Sequence, residues 1–137
     1  MYNKSVDTQR EEVSLYIENA HEMLKAAHLM LDNDFYTSTI NRAYYAIFYA
    51  ANALLATKKM SQGKHTRVIS AFRQHFIKTG VFLPEFSQIY GRALEDRHES
   101  DYEMGTEITR EVAEANLVGA ERFVQEIEQW LKKQNWL

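Results

Sequence analysis

Ile40-Asn41-Arg42-Ala43-Tyr44-Tyr45-Ala46-Ile47-Phe48-Tyr49-Ala50-Ala51-Asn52-Ala53-Leu54-Leu55 is the stretch that decides the fold. Across about Phe35 to Lys58, Ile40, Ala43, Tyr44, Ile47, Phe48, Ala51, Leu54 and Leu55 recur at threes and fours. Together they cover most of a helix circumference, and a helix apolar nearly all round belongs in the centre of a protein. Ala43, Ala46, Ala50, Ala51 and Ala53 let neighbouring backbones approach, while the aromatic rings fill wider gaps. The densest part of the core is therefore expected here.

On the N-terminal side, Val13, Ile17, Ala20, Leu24, Ala27 and Leu31 form one apolar stripe. Asp32-Asn33-Asp34 interrupts it and reads as a tight turn that supplies a cap to the next helix. So short a connection makes the two helices antiparallel neighbours. On the other side, Ser61 is the expected cap of a third helix with Val68, Ile69, Phe72 and Phe76 inward. Gly80 suits a C-terminal cap and Pro84 the first turn of a fourth helix. That helix carries Phe86, Ile89, Tyr90, Ala93, Leu94 and Arg97, and Gly105 loosens the chain after it. Thr109 caps a fifth helix with the stripe Ala113, Leu117, Ala120, Val124, Ile127 and Leu131, and Lys132 and Lys133 suit its end. The expectation is an all-α, up-down bundle of four to five helices in a single domain over residues 1–137.

Composition narrows the function classes. The chain has 137 residues, no cysteine and a formal charge of -3. Disulfides and cysteine-bound zinc are excluded, and a reducing, cytoplasmic setting is expected. The opening MYNKSVDTQREEVSLY has no apolar segment of signal-peptide type, and no apolar run is long enough to span a membrane. A broad nucleic-acid surface needs clustered cations, which the overall balance disfavours. Lys58, Lys59, Lys64, Arg67, Arg73 and Lys78 nevertheless share one third of the chain, as a solvated face or a surface for an anion or partner. His65 and His75 are ten residues apart, and His21 and His28 are seven apart without a third ligand, so no metal site and no cofactor are expected.

The polar group that stands out is Arg97-His98-Glu99-Ser100-Asp101-Tyr102. Arg97 and Asp101 lie one helical turn apart and can meet on one face. Two readings stand open. The pair is a wet surface ion pair that contributes little, or it is an anion-handling group in which Asp101 orients Arg97 and Tyr102 donates one hydrogen bond. Asn41 and Arg42 border the apolar helix and either snorkel from its edge or reach the polar residues around Arg97. Tyr44, Tyr45 and Tyr49 fit core packing, a homodimer contact or base stacking. His98 points about 100° away from Arg97 and reads as exposed.

Three stretches in order carry a family resemblance. They are Asn41 to Ala51, then Gly63-Lys64-His65 through Phe72 with His75-Phe76-Ile77-Lys78-Thr79-Gly80, and finally Arg97 to Tyr102. The chain resembles small stand-alone HEPN-domain proteins over roughly residues 10–133. The resemblance implies a bundle of four or five helices that forms a homodimer. In better understood members an arginine, and a histidine with four to six residues between them, make a metal-independent ribonuclease site across the dimer cleft. Arg97 matches the arginine, but positions 102 to 104 hold Tyr102, Glu103 and Met104. The resemblance also implies a small nucleotidyltransferase as partner, in a toxin-antitoxin-like pair.

The missing histidine matters chemically. Cleavage through a 2′-hydroxyl needs a group that accepts a proton near neutral pH, which histidine does and tyrosine, near 10, does not. Asp101 could accept a proton only with a raised pKa, and an adjacent arginine acts the other way. One expectation is a non-catalytic dimeric module that binds a protein partner or a nucleotide-like anion, with RNA or a nucleotide as ligand, through Asn41, Arg42, Tyr45, Arg97, Asp101 and Tyr102. The other is a ribonuclease with Arg97, Asp101 and Tyr102 at its centre and a non-standard base, drawn from Asp101, His98 or a histidine of a second subunit.

Overall fold

The computed structural model describes residues 5–61, 64–102 and 107–137, apart from the side chains of Asp101 and Tyr102. It contains α1 (Val6–Asp32), α2 (Tyr36–Ala56), α3 (His65–Phe72), α4 (Pro84–Tyr102) and α5 (Arg110–Lys133), with a π-helical turn at Arg73–Ile77 continuing α3. The described residues hold no strand. The all-α bundle read from the apolar periodicity is the architecture found.

α2 is the central element. It packs against α1, α3, α4 and α5, and its buried residues run without a gap from Ala50 to Ala56. The alanines at 43, 46, 50, 51 and 53 are fully covered, as are Tyr44, Ile47, Leu54 and Leu55. Burial on every side follows directly from an apolar surface that no single neighbour could cover. At the end near the α1–α2 turn, Ala27, Leu31, Ile40, Ala113 and Leu117 form a smaller cluster.

Polar cross-ties fix the directions of the helices. Gln9, buried near the start of α1, donates from Nε2 to the carbonyls of Ala56 and Thr57 at 3.1 and 3.3 Å. It thereby satisfies carbonyls left open at the end of α2. Tyr16 stacks on Tyr49 with centroids 6.5 Å apart, so α1 and α2 run antiparallel. His21 meets Glu128 and His28 meets Glu121 at 3.0 and 3.1 Å, which sets α1 against α5 in the same sense. The two histidines thus share a face, as their spacing allows, and use it for carboxylates. Glu85–Arg122 and Asp96–Asn116 contacts run α4 antiparallel to α5.

The helix ends agree with expectation in part. Thr109 caps α5 by accepting from the Val112 amide, Gly80 takes φ +80, and Pro84 opens α4. Two caps differ. The position before α2 is Phe35, without a side-chain cap, because Asp34 turns into the left-handed region at φ 63. Its carboxylate instead accepts from Tyr36 Oη and Arg110. Ser61 does not cap α3, because Lys64 occupies the capping position and a serine three residues earlier cannot reach the first-turn amides. Gly105 lies outside the described residues. Among the described residues no helix is long and apolar enough to cross a membrane.

Candidate anion-binding site

α2 presents Tyr44, Tyr45 and Phe48 toward the N-terminal end of α3 and the C-terminal half of α4. Successive residues 44 and 45 diverge by about 100° on a helix. Tyr44 therefore goes fully into the core while Tyr45 stays half-buried at its edge. Their rings meet edge to face at 5.3 Å. Arg97, on α4, lays its guanidinium over both. Its central carbon is 4.9 Å from the Tyr44 ring centroid and 5.3 Å from that of Tyr45. A cation over the negative faces of two rings is held electrostatically, and its planar fork is oriented by them. Arg97 is partly buried, which removes the reading in which it extends freely into water.

The fourth member is His65, the first residue of α3. Its ring stacks on Phe48 with centroids 4.4 Å apart and planes 14° from parallel. It lies 5.6 Å from the Tyr44 ring and 5.5 Å from the Tyr45 ring. Its Nδ1 and the Tyr44 hydroxyl are 2.7 Å apart, a short hydrogen bond. Burial lowers the His65 pKa below its ordinary value, and the Arg97 cation lowers it further, so the ring is neutral near pH 7. Burial pushes the Tyr44 phenol up to about 12, against the opposing pull of Arg97. Tyr90 of α4, fully buried behind Tyr44, is also raised, by burial first and then by Tyr44.

The residues singled out from sequence are thus only partly brought together. Arg97 and Tyr45 are in contact. Asn41 and Arg42 are partly buried on α2 and bond to each other, with Arg42 donating to Asn41 Oδ1 at 2.6 Å. Arg97 itself lies against the rings of Tyr44 and Tyr45. The side chains of Asp101 and Tyr102 lie outside the described residues, although α4 carries both positions one turn beyond Arg97. His98 is exposed. Much of the basic third is a solvated surface, with Lys58, Lys64 and Arg67 exposed. Arg73 is engaged with Ser87 of α4 through a 2.8 Å bond from Nε.

Sequence reasoning missed His65, Tyr44 and Tyr90 as members of the site. Spacing compares His65 only with His75 on its own helix, and tests a metal pair. Nothing local reports that a residue beginning α3 lands on the ring of Phe48. Two clefts of about 510 and 450 Å³ lie elsewhere, between α4 and α5, and neither includes Arg97 or His65.

With this geometry in view, the HEPN domain pattern matches residues 13–130. The chain belongs to the HEPN-domain family. Among its relatives, a Methanocaldococcus jannaschii protein named "Putative toxin MJ0605" is 37% identical over 133 residues, covering 97% of this chain and 96% of its own length. A "UPF0332 protein" of Thermotoga maritima is 36% identical over 120 residues, covering 88% and 91%. A second M. jannaschii protein, "Putative toxin MJ0142", is 32% identical over 128 residues, covering 93% and 87%. The HEPN match spans all five helices in part or whole, so the Arg97 cluster lies within the domain.

Proposed function

We propose that this HEPN-domain chain is a non-catalytic, homodimeric module that binds a nucleotide-like, phosphate-bearing anion at Arg97, in a toxin-like role. The observation that carries this reading is the Arg97 guanidinium held over the rings of Tyr44 and Tyr45 beside His65. A guanidinium fixed in this way offers phosphate oxygens a planar set of donors. Because it is already ordered, binding costs it little side-chain entropy. Tyr45 gives an aromatic edge to the site, and Asn41, Arg42, Asp101 and Tyr102 complete it in this proposal. The toxin-like role is supported by the names of two relatives. A small nucleotidyltransferase as protein partner belongs to the same proposal and is supported by the family resemblance.

The test is fluorescence anisotropy with a labelled single-stranded RNA oligonucleotide and competition by adenosine monophosphate. Arg97→Ala should weaken binding about tenfold or more, the worth of a charge-assisted contact. Equal binding by wild type and variant refutes the site.

A second reading, metal-independent RNA cleavage, is favoured by one observation. His65 brings to Arg97 an imidazole that positions 102–104 lack. A neutral histidine can act as a base near pH 7. On this reading purified protein cleaves RNA, and Arg97→Ala and His65→Ala both abolish cleavage. Cleavage equal in all three proteins would exclude it.

A further inference from the structure

We propose that Tyr44, backed by Tyr90, is a positioning residue that holds His65 as its Nε2–H tautomer and makes it a second fixed donor beside Arg97 for a phosphoryl-type oxyanion. The inference rests on the anion reading of Arg97 and says what His65 contributes to it.

The starting point is the 2.7 Å contact between Tyr44 Oη and His65 Nδ1. One proton lies between these atoms. If it belongs to the phenol, Tyr44 donates, Nδ1 accepts, and the neutral ring keeps its own proton on Nε2. If it belongs to Nδ1, the ring donates, Nε2 is a bare lone pair, and the Tyr44 proton must find another acceptor. The first arrangement yields a hydrogen-bond donor at Nε2, and the second yields a base.

Tyr90 decides between them. Its hydroxyl oxygen is buried with no partner at close range, and the hydroxyl that acts on it as a longer hydrogen-bond partner is that of Tyr44. Its ring lies 6.3 Å from that of Tyr44, and Tyr44 is the side chain whose hydroxyl acts on it. When Tyr44 donates to His65, the lone pairs of Tyr44 Oη face Tyr90, and the Tyr90 O–H has an acceptor to turn toward. When His65 donates to Tyr44, the Tyr44 proton turns toward Tyr90, and the Tyr90 proton is left buried with nothing to bond. Leaving a buried donor unsatisfied is the costlier state. All hydroxyl protons therefore point the same way, from Tyr90 to Tyr44 to Nδ1.

Two further features hold the ring in that state. Stacking on Phe48 at 4.4 Å restricts its rotation. Among the described residues, Tyr44 and Tyr45 from α2 and Arg97 from α4 are the titratable and charged groups that act on it. The one formal charge among these is the Arg97 cation, which opposes a second positive charge on the imidazole. A neutral Nε2–H beside a guanidinium gives two kinds of donor and no acceptor, a combination suited to oxygen anions and unsuited to taking a proton from a hydroxyl.

The experiment uses the full chain and two measurements. Long-range proton–nitrogen NMR at pH 7.5 reads the tautomer of His65. The expected result is a protonated Nε2 and an unprotonated Nδ1 in wild type, and a mixed population in Tyr44→Phe, which keeps the ring under Arg97. Binding is then measured between pH 6.5 and 8 with a single-stranded deoxy-oligonucleotide, which lacks the 2′-hydroxyl needed for cleavage. Adenosine monophosphate and inorganic sulfate serve as separate arms that distinguish a strand, a nucleotide and a free oxyanion. His65→Gln, which keeps a neutral N–H donor, should bind within about threefold of wild type. His65→Ala should bind about tenfold more weakly, the loss of one hydrogen bond to a charged group. An Nδ1–H tautomer in wild type, a tautomer indifferent to Tyr44→Phe, or equal binding by His65→Ala overturns this inference alone. Failure of every probe to bind wild type overturns the anion reading of Arg97, and the donor role with it.

Discussion

Removing the Arg97 side chain should destabilise the protein by about 1–3 kcal/mol, more than a surface charge is worth. The guanidinium is 4.9 Å from one tyrosine ring and 5.3 Å from another. A cation over a ring contributes about 0.5–1 kcal/mol when exposed and about 2 when desolvated. Tyr44 is fully buried and Tyr45 half-buried, with Arg97 between those limits, so two such contacts and the covered aliphatic stem give the range stated. Urea unfolding of Arg97→Ala, followed by circular dichroism, reads it directly. With a slope of about 2 kcal/mol per molar the midpoint should fall by roughly 0.5–1.5 M. Arg97→Lys separates the two parts of the effect. It keeps a positive charge near His65 but loses the planar stack, so it should keep much of the lowering of the histidine pKa and only part of the stability. By contrast Arg97→Ala should raise the His65 pKa, since the repelling cation is gone. A destabilisation below about 0.5 kcal/mol with an unchanged histidine titration would mean that Arg97 stands in bulk water, and the site would fall.

His65 also makes stability depend on pH. Its folded pKa is lowered below the ordinary 6.5, so under mildly acidic conditions the unfolded chain binds a proton that the folded one refuses. Its contribution is fully present above pH 6.5 and is lost as the pH falls toward the folded pKa, and in His65→Gln that part of the slope should vanish from melts at pH 5 to 7. Leu54→Ala removes a fully buried side chain of the central helix and should cost about 2–5 kcal/mol in a urea melt; a cost below about 1 kcal/mol would contradict the placement of α2. Thr109→Ala removes the bond to the Val112 amide and should cost about 1 kcal/mol, with Thr109→Ser close to wild type. For Gly80→Ala the open space around the glycine leaves only the backbone penalty at φ +80, about 1 kcal/mol in thermal or urea unfolding.

The bundle was legible because its cause is local. Ile40 to Leu55 repeats apolar residues around a whole circumference, and that pattern has one stable solution, a helix enclosed by others. Thr109, Gly80 and Pro84 were readable for the same reason, since a cap or a first turn is decided within a few residues. Ser61 as a cap, and the cap expected within the otherwise correct Asp32–Asp34 turn, went astray where several polar residues compete for one role and only the actual backbone path chooses among them.

Arg97 could be named from sequence by its one-turn spacing to Asp101 and by the family resemblance, and Tyr45 as one of the aromatics of the apolar helix. Their meeting could not be named, nor could the arrival of His65 from another helix. Periodicity reports which way a side chain faces around its own axis and carries no information about what lies opposite. Fifty-three positions of chain separate Tyr44 from Arg97, and only the crossing of α2, α3 and α4 turns that distance into a contact of 4.9 Å. The sequence alone therefore determined that this chain is an enclosed helical bundle, because burial is written into each helix. The tertiary structure decided that a cation, two phenols and an imidazole form one cluster, because that depends on how separate helices are set against each other.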